Sequence, residues 1–510
     1  MNSKSRTIKS VINVLSMIVN KMLGQLMGFV VRTVFIYTIS IEYMGVSSLF
    51  ASILGILSLA ELGIGGAMTY LLYKPMAEHD EETIVLYLRL YKRIYRIVGI
   101  FILIAGIALT PFLDFFIAEA PDIEHLRLIY ILYVVNTAIT YLVGAYRQAL
   151  FQADQKLYKI NNYTTIISVI FSIIQIGVLL LFRNFIFYVC MGIVQNIVLN
   201  LILLYAAQKE YPFICKKVDG HIPKEGVEHI KKTVKGVFLY KLSASVLNGT
   251  DSILVSKFVS ITAVAQYTNY YTVITIIRTF LYMCFDGIVP SLGNLCVGNV
   301  ISKKREVFKE LQFINEWLAG VAAVCLAVLL NPFIKLWAGS QYVMPESTTL
   351  ILVLVFYIQS SLKATGTIRD AAGLFYESRW LNVAQCIVNL LVSVILAMKF
   401  SLPGIFLGTI VALMTTMFWI QPYLVYKYIL EETTGALMKY YCRQLLHMLE
   451  WSLVYVLIRG IIEIFHIDNF IIMLFITGIS ANLFAFITKG RSKEFKNLYK
   501  RIVGVVKRKS

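Results

Sequence analysis

Long apolar runs alternate with short charged interruptions along the whole chain. Most runs are long enough to cross a hydrocarbon core of about 30 Å as a helix. The pattern predicts about fourteen spans. Six lie at roughly 11–39, 46–73, 94–117, 126–146, 160–182 and 186–207. Six more lie at 237–258, 267–297, 309–337, 347–368, 380–399 and 405–428, and a last pair at 443–464 and 470–488. The predicted fold is an all-α, polytopic integral membrane protein. The longest polar connection, 208–236, divides the first twelve spans into two sets of six. This predicts an N-terminal six-helix lobe over 1–207, a connector over 208–236 and a C-terminal six-helix lobe over 237–429, with a central cleft. An extra helix pair and a basic tail would fill 430–510. No loop is long enough for a soluble domain. Segment 78–93 reads equally as an interfacial helix or as an extension of the third span.

Charge orients this array. The net charge of +18 over 510 residues would suit a nucleic-acid binder, but its distribution suits a membrane better. Lys4, Arg6 and Lys9 precede the first span, and Lys74, Arg89, Lys92, Arg93 and Arg96 lie between the second and third. Seven lysines fall in 208–236, and the tail from Lys489 carries nine basic residues and one acid. The alternate loops carry acids such as Glu42, Glu119, Asp122, Glu346 and Asp468. By the positive-inside rule both termini are cytoplasmic. A hydrophobic fraction of 58% and a mean hydropathy of +0.73 agree with a multi-pass protein. The basic start followed by a long apolar run predicts a retained first helix rather than a cleaved signal. The basic tail is expected on anionic lipids. The seven cysteines are scattered, with no C-x-x-C, so neither disulfides nor a metal site is expected.

Polar residues inside spans are costly and mark cavities or buried pairs. Lys21, Gln25, Gly28 and Arg32 share one face of the first helix. At an offset of 220 residues, Lys241, Ser245, Asn248 and Ser252 repeat that face, and Ser260-Ile261 repeats Ser40-Ile41. A third stripe joins Tyr267, Tyr271, Thr275, Arg278 and Tyr282, and Lys363 and Arg369 lie toward the end of the tenth span. Glu61 sits in the second span, beside Gly63, Gly65 and Gly66, and Asp251 in the seventh. These residues predict a cavity lined by cations and tyrosines. Lys21, Gln25, Arg32, Lys241, Asn248, Tyr271 and Arg278 are its candidate substrate-binding residues, and Glu61 and Asp251 are candidates for ion coupling. The competing reading is helix packing with local pairs such as Glu61 with Lys21 or Asp251 with Lys241. Gly24-x-x-x-Gly28 reads as a packing motif.

Chemistry for an enzyme is absent from the pattern. No G-x-x-x-x-G-K-[ST] or H-E-x-x-H occurs, and the six histidines are dispersed. No catalytic residue, metal or cofactor is expected.

The stretch GVSSLFASILGILSLAELGIGGAMTYLLYKPMAE resembles the second helix of Wzx-type polysaccharide repeat-unit flippases. These belong to the multidrug/oligosaccharidyl-lipid/polysaccharide exporter superfamily. YRQALFQADQKLYKINNY, SVLNGTDSILVSKFVSITAVAQYTNYYTVI, DGIVPSLGNL and NPFIKLWAGSQY resemble later parts of that pattern, in order. The stretch SITAVAQY departs from it, lacking the usual glycine turn. Drug-exporting relatives carry an acid in the first helix, where this chain has Lys21 and Arg32. The resemblance implies flipping of an undecaprenyl-pyrophosphate-linked oligosaccharide across a bacterial cytoplasmic membrane, without ATP. It also implies a polymerase and glycosyltransferases as pathway partners, and a monomer is expected. The alternatives are export of the peptidoglycan lipid precursor or of drugs, and, further off, a membrane-embedded glycosyltransferase or polymerase.

Overall fold

A bilayer core offers the backbone no hydrogen-bonding partner, so apolar runs must satisfy their own amides as helices. The computed structural model describes residues 3–58, 64–118, 123–216, 249–298, 300–374 and 377–497, together with 218, 220, 228, 242, 243, 246 and 247. The fold is all-α, with no strand among the described residues. Eight helical segments among them are long and apolar enough to cross a membrane. Many of their apolar side chains point outward, as in Leu157–Phe182, where only 22% of the most apolar stretch is buried. Outward-facing leucine, isoleucine and phenylalanine at that density suit lipid and not water. The chain is a multi-pass membrane protein, and it divides into two compact units, Met1–Ala265 and Gln266–Ser510.

In the first unit the helices are α1 (Ser3–Thr38), α2 (Ile41–Leu57), α3 (Ile64–Glu78) and α4 (Glu81–Leu109). They are followed by α5 (Leu126–Leu142), α6 (Gln148–Ala153), α7 (Leu157–Phe182) and α8 (Phe185–Glu210). Helix α4 starts at Asp80, whose carboxylate accepts from the Thr83 amide at 3.0 Å. It then runs unbroken through Arg89–Arg96, so segment 78–93 extends the third span and is no separate interfacial helix. The second predicted span is α2 and α3, flanking residues 59–63, which lie outside the described residues. Helix α1 packs along α7, where Asn20 donates to Asn162 at 2.9 Å. At Gly24 and Gly28, expected to pack, a Cβ would meet nothing within 4 Å among the described residues. Gly45 makes a close backbone approach, since a Cβ there would collide with the Ile261 backbone. Asn196 donates to Asn136 at 2.6 Å between α8 and α5. At one end of the unit Lys156 bridges Asp154 and Glu210, at 2.7 and 2.6 Å.

The sequence repeat has a structural counterpart. Helix α2 begins at Ile41 after Ser40, and α9 (Ile261–Asp286) begins after Ser260, 220 residues later. The Ser260 hydroxyl accepts from the Ala263 amide at 3.0 Å, as a helix N-cap does.

Helix α9 leads into the second unit, with α10 (Val289–Val297), α11 (Ile301–Trp337), α12 (Glu346–Ser361) and α13 (Lys363–Ala371). Then come α14 (Leu381–Thr415), α15 (Met417–Tyr428), α16 (Thr434–Ile464) and α17 (Phe470–Lys489). The predicted span 267–297 is interrupted after Asp286, where Gly287 and Pro290 break the ladder. The predicted span 347–368 is likewise interrupted at Leu362. Side chains of other helices brace the carbonyls there. Asn315 donates to Ser360 and Ser361 at 3.0 and 2.7 Å, and Gln421 donates to Leu362 at 2.8 Å. Helix α14 folds back on itself at Ser401, whose φ of 52° lies in the left-handed region. Its two arms close through Asn389 to Thr409 at 2.9 Å and Ser393 to the Ile405 carbonyl at 3.0 Å. Helix α11 is the centre of the second unit, packed by α12, α13, α16 and α17.

Candidate functional site: an arginine among tyrosines

Helix α9 carries the predicted tyrosine–arginine stripe on one continuous face. Tyr267 is buried, and its ring meets Phe406 at 5.1 Å and Tyr271 at 5.6 Å. Arg278 is half-buried, about 25 Å along the helix from its start. Its guanidinium donates to Gln359 Oε1 at 2.9 Å, to the Tyr271 hydroxyl at 3.2 Å and to Thr275 Oγ1 at 3.4 Å. All three acceptors are neutral. No carboxylate lies within ion-pair distance of Arg278 among the described residues; the cation next along, Lys363, takes Asp286 at 2.6 Å. Lys363 also lies 4.6 Å above the Tyr282 ring. Arg278 is therefore held in a fixed orientation, with no counter-charge among the described residues. A planar guanidinium so held matches a phosphate or carboxylate, and the tyrosine edges beside it offer both stacking surface and hydroxyls.

In the first unit Arg32 is half-buried on α1, with Nη2 3.7 Å from the Met44 sulfur. Around that end of the helix stands an aromatic nest. Phe35 meets Phe185 and Tyr188 at 5.7 and 5.4 Å, and Tyr43 meets Phe185 at 5.0 Å. Lys21 is exposed on the same helix and Gln25 half-buried. Asp251 is half-buried in the helical stretch 249–258. Lys241, Asn248 and Glu61 lie outside the described residues. Of the candidates, the structure brings Tyr271 and Arg278 into contact.

Two features escape a reading of the sequence. Gln359, the strongest acceptor of Arg278, sits in an apolar run of α12, and its only signal is being a lone amide there. His447, for which the sequence pattern offers no partner, is buried against Glu316. Its Nε2 lies 2.9 Å from Glu316 Oε2, with Lys489 Nζ at 3.1 Å from the same oxygen. Gln444 and Gln312 donate to the other oxygen at 2.9 and 3.1 Å. The signal was weak because the partners come from three helices far apart in the chain.

The same arrangement of helices is found in solved transporters. One is the lipid II flippase MurJ in an inward closed conformation, with a TM-score of 0.65 at 12% identity, covering 92% of this chain and 98% of that one. Another is an inward-facing multidrug resistance MATE family transporter of the MOP superfamily, at 0.60 and 13%, covering 78% and 94%. A MOP superfamily transporter from Pyrococcus furiosus, described as having a binding pocket of reverse polarity, aligns at 0.52 and 15%, covering 83% and 97%. At such identities the likeness is one of fold. No curated protein matches by sequence. The family pattern of polysaccharide biosynthesis proteins matches residues 10–295 of the 510, more than half of the chain, which therefore belongs to the polysaccharide biosynthesis protein family.

Proposed function

We propose that this protein is a flippase for an undecaprenyl-pyrophosphate-linked oligosaccharide repeat unit. It moves the unit from the inner to the outer leaflet of a bacterial cytoplasmic membrane, for surface polysaccharide assembly. The observation that carries the reading is Arg278, a half-buried cation whose hydrogen-bond partners among the described residues, Gln359, Tyr271 and Thr275, are all neutral. A pyrophosphate supplies the missing charge, and the tyrosines beside it supply a surface for sugar rings. Family membership and a fold shared with a lipid II flippase support a transporter of lipid-linked sugars rather than an enzyme. Lys21, Gln25, Arg32, Lys241 and Asn248 are proposed to contact the same substrate, and Glu61 and Asp251 to bind a coupling ion. The basic tail rests on anionic lipids, both termini are cytoplasmic, and the monomer works beside a polymerase and glycosyltransferases. Transport is by alternating access without ATP. Moving an anion out of an inside-negative cell is favoured by about 2.3 kcal/mol per charge per 100 mV.

The second reading, a carrier of the peptidoglycan lipid precursor, is favoured by the likeness to the lipid II flippase. Both substrates share the pyrophosphate and differ in the sugar. Depleting the protein in its host separates them. Build-up of a lipid-linked oligosaccharide in the inner leaflet, with loss of surface polysaccharide, supports the first reading. Build-up of the peptidoglycan precursor supports the second. If neither accumulates and cells retain more dye or drug, the protein is a drug exporter.

A further inference from the structure

A second basic concavity lies away from Arg278, at one end of α11, α16 and α17. It encloses about 430 Å³, and five Lys or Arg side chains line it against three Glu. Two of the cations are committed. Arg305 holds the Leu430 and Glu431 carbonyls at 2.8 and 2.6 Å and Glu432 at 3.1 Å, and Lys489 holds Glu316 at 3.1 Å. The other three, Lys309, Lys439 and Arg443, are exposed at the rim, and none is ion-paired among the described residues. They lie six to ten residues inside the starts of α11 and α16, at roughly the depth where headgroups give way to acyl chains. Glu316 in the floor is already saturated by His447, Lys489, Gln312 and Gln444, and Glu432 is taken by Arg305, so among the described lining residues Glu494 is the one acid left against three rim cations.

An apolar trough of about 600 Å³ adjoins this pocket, lined by Trp317 of α11 and by Leu474, Phe475, Ile479 and Phe486 of α17. From Leu474 to Phe486 it extends about 18 Å along the helix, the length of an acyl chain. The two are linked at Phe495, whose ring stacks on Trp317 at 6.0 Å and meets Phe313, a wall of the basic pocket, at 6.3 Å. A soluble anion would need only the basic half; a basic pocket leading into an apolar trough fits a lipid.

We infer that this pocket binds the phosphodiester of an anionic phospholipid of the surrounding bilayer, with an acyl chain in the trough along α17. The site is separate from that of the transported substrate and does not depend on what the substrate is. The test uses the full-length protein in nanodiscs with photoactivatable phosphatidylglycerol and phosphatidylcholine probes, and adducts mapped by mass spectrometry. The phosphatidylglycerol probe is expected to label the facing stretches of α11, α16 and α17, with competition by unlabelled phosphatidylglycerol but not by inorganic phosphate. Lys309→Gln, Lys439→Gln and Arg443→Gln combined should weaken it on the order of 100-fold, each juxtamembrane cation contributing about a factor of five. Lys335→Gln, toward the far end of α11, should leave it unchanged. Should the triple variant fail to insert, mapping and competition on the wild type still decide. Equal labelling by phosphatidylcholine, adducts elsewhere, or an unchanged triple variant would overturn the inference. Displacement by inorganic phosphate would reassign the pocket to a soluble anion. Displacement by undecaprenyl pyrophosphate at lower concentration than phosphatidylglycerol would reassign it to the transported lipid, and either result also overturns it.

Discussion

Single residues in this chain divide by whether their charge is answered. Arg278 has three neutral acceptors and, among the described residues, no acid. Arg278→Ala should abolish export of lipid-linked sugar while the protein still inserts. Arg278→Lys should retain only part of the transport, because an ammonium keeps the charge but loses the planar two-point geometry. Surface polysaccharide per cell at matched membrane abundance is the readout. Glu316 is the opposite case, a buried carboxylate holding His447 and Lys489. Glu316→Gln leaves a buried ammonium uncompensated, a loss of about 3–5 kcal/mol when such a network is broken. Adding Lys489→Met should restore part of it. Thermal unfolding in detergent compares the two, and a double variant no more stable than the single one would contradict this account. The identities and spacing of Tyr271, Thr275 and Arg278 were legible because one helix carries all three. Gln359 and the Glu316 network were not, because their meaning comes from contacts across 81, 131 and 173 residues of chain.

Elements were legible where composition alone sets them. Long apolar runs became helices, and the 220-residue repeat reappears as the starts of α2 and α9. The breaks within runs were not legible. Pro290 marks one, but the interruption at Leu362 has no proline or glycine beside it. It is braced by Asn315 and Gln421, from other helices, which donate to the carbonyls of Ser360, Ser361 and Leu362. Asn315→Leu should therefore destabilise the second unit by about 1–3 kcal/mol, for two donated bonds lost together, as thermal unfolding in detergent would show. The glycine contacts were not legible either. Among the described residues a Cβ on Gly24 or Gly28 would meet nothing, whereas a Cβ on Gly320 would run into the Trp451 ring. Gly320→Val should loosen α16 from α11, measured as faster proteolysis within 434–464. Gly24→Ala should change nothing in that assay.

At the scale of the whole molecule, a carrier of an anionic lipid headgroup without a nucleotide site must draw on a gradient. In oriented proteoliposomes, an inside-negative potential should speed outward movement of the lipid-linked oligosaccharide, and collapsing it with an ionophore should slow it. Rates independent of potential would mean that a coupling cation returns and cancels the charge moved. The sequence by itself determined the class of molecule. Hydrocarbon excludes unsatisfied backbone, so apolar runs of this length have no other soluble or membrane structure as stable as a helix. It also placed Arg278 and Tyr271 on one face, because helical periodicity is local. Only the tertiary structure decided which cations are neutralised. The field at a side chain is set by whatever packs against it, and for Glu316, Arg278 and the rim of the α11–α16–α17 pocket those neighbours lie on other helices.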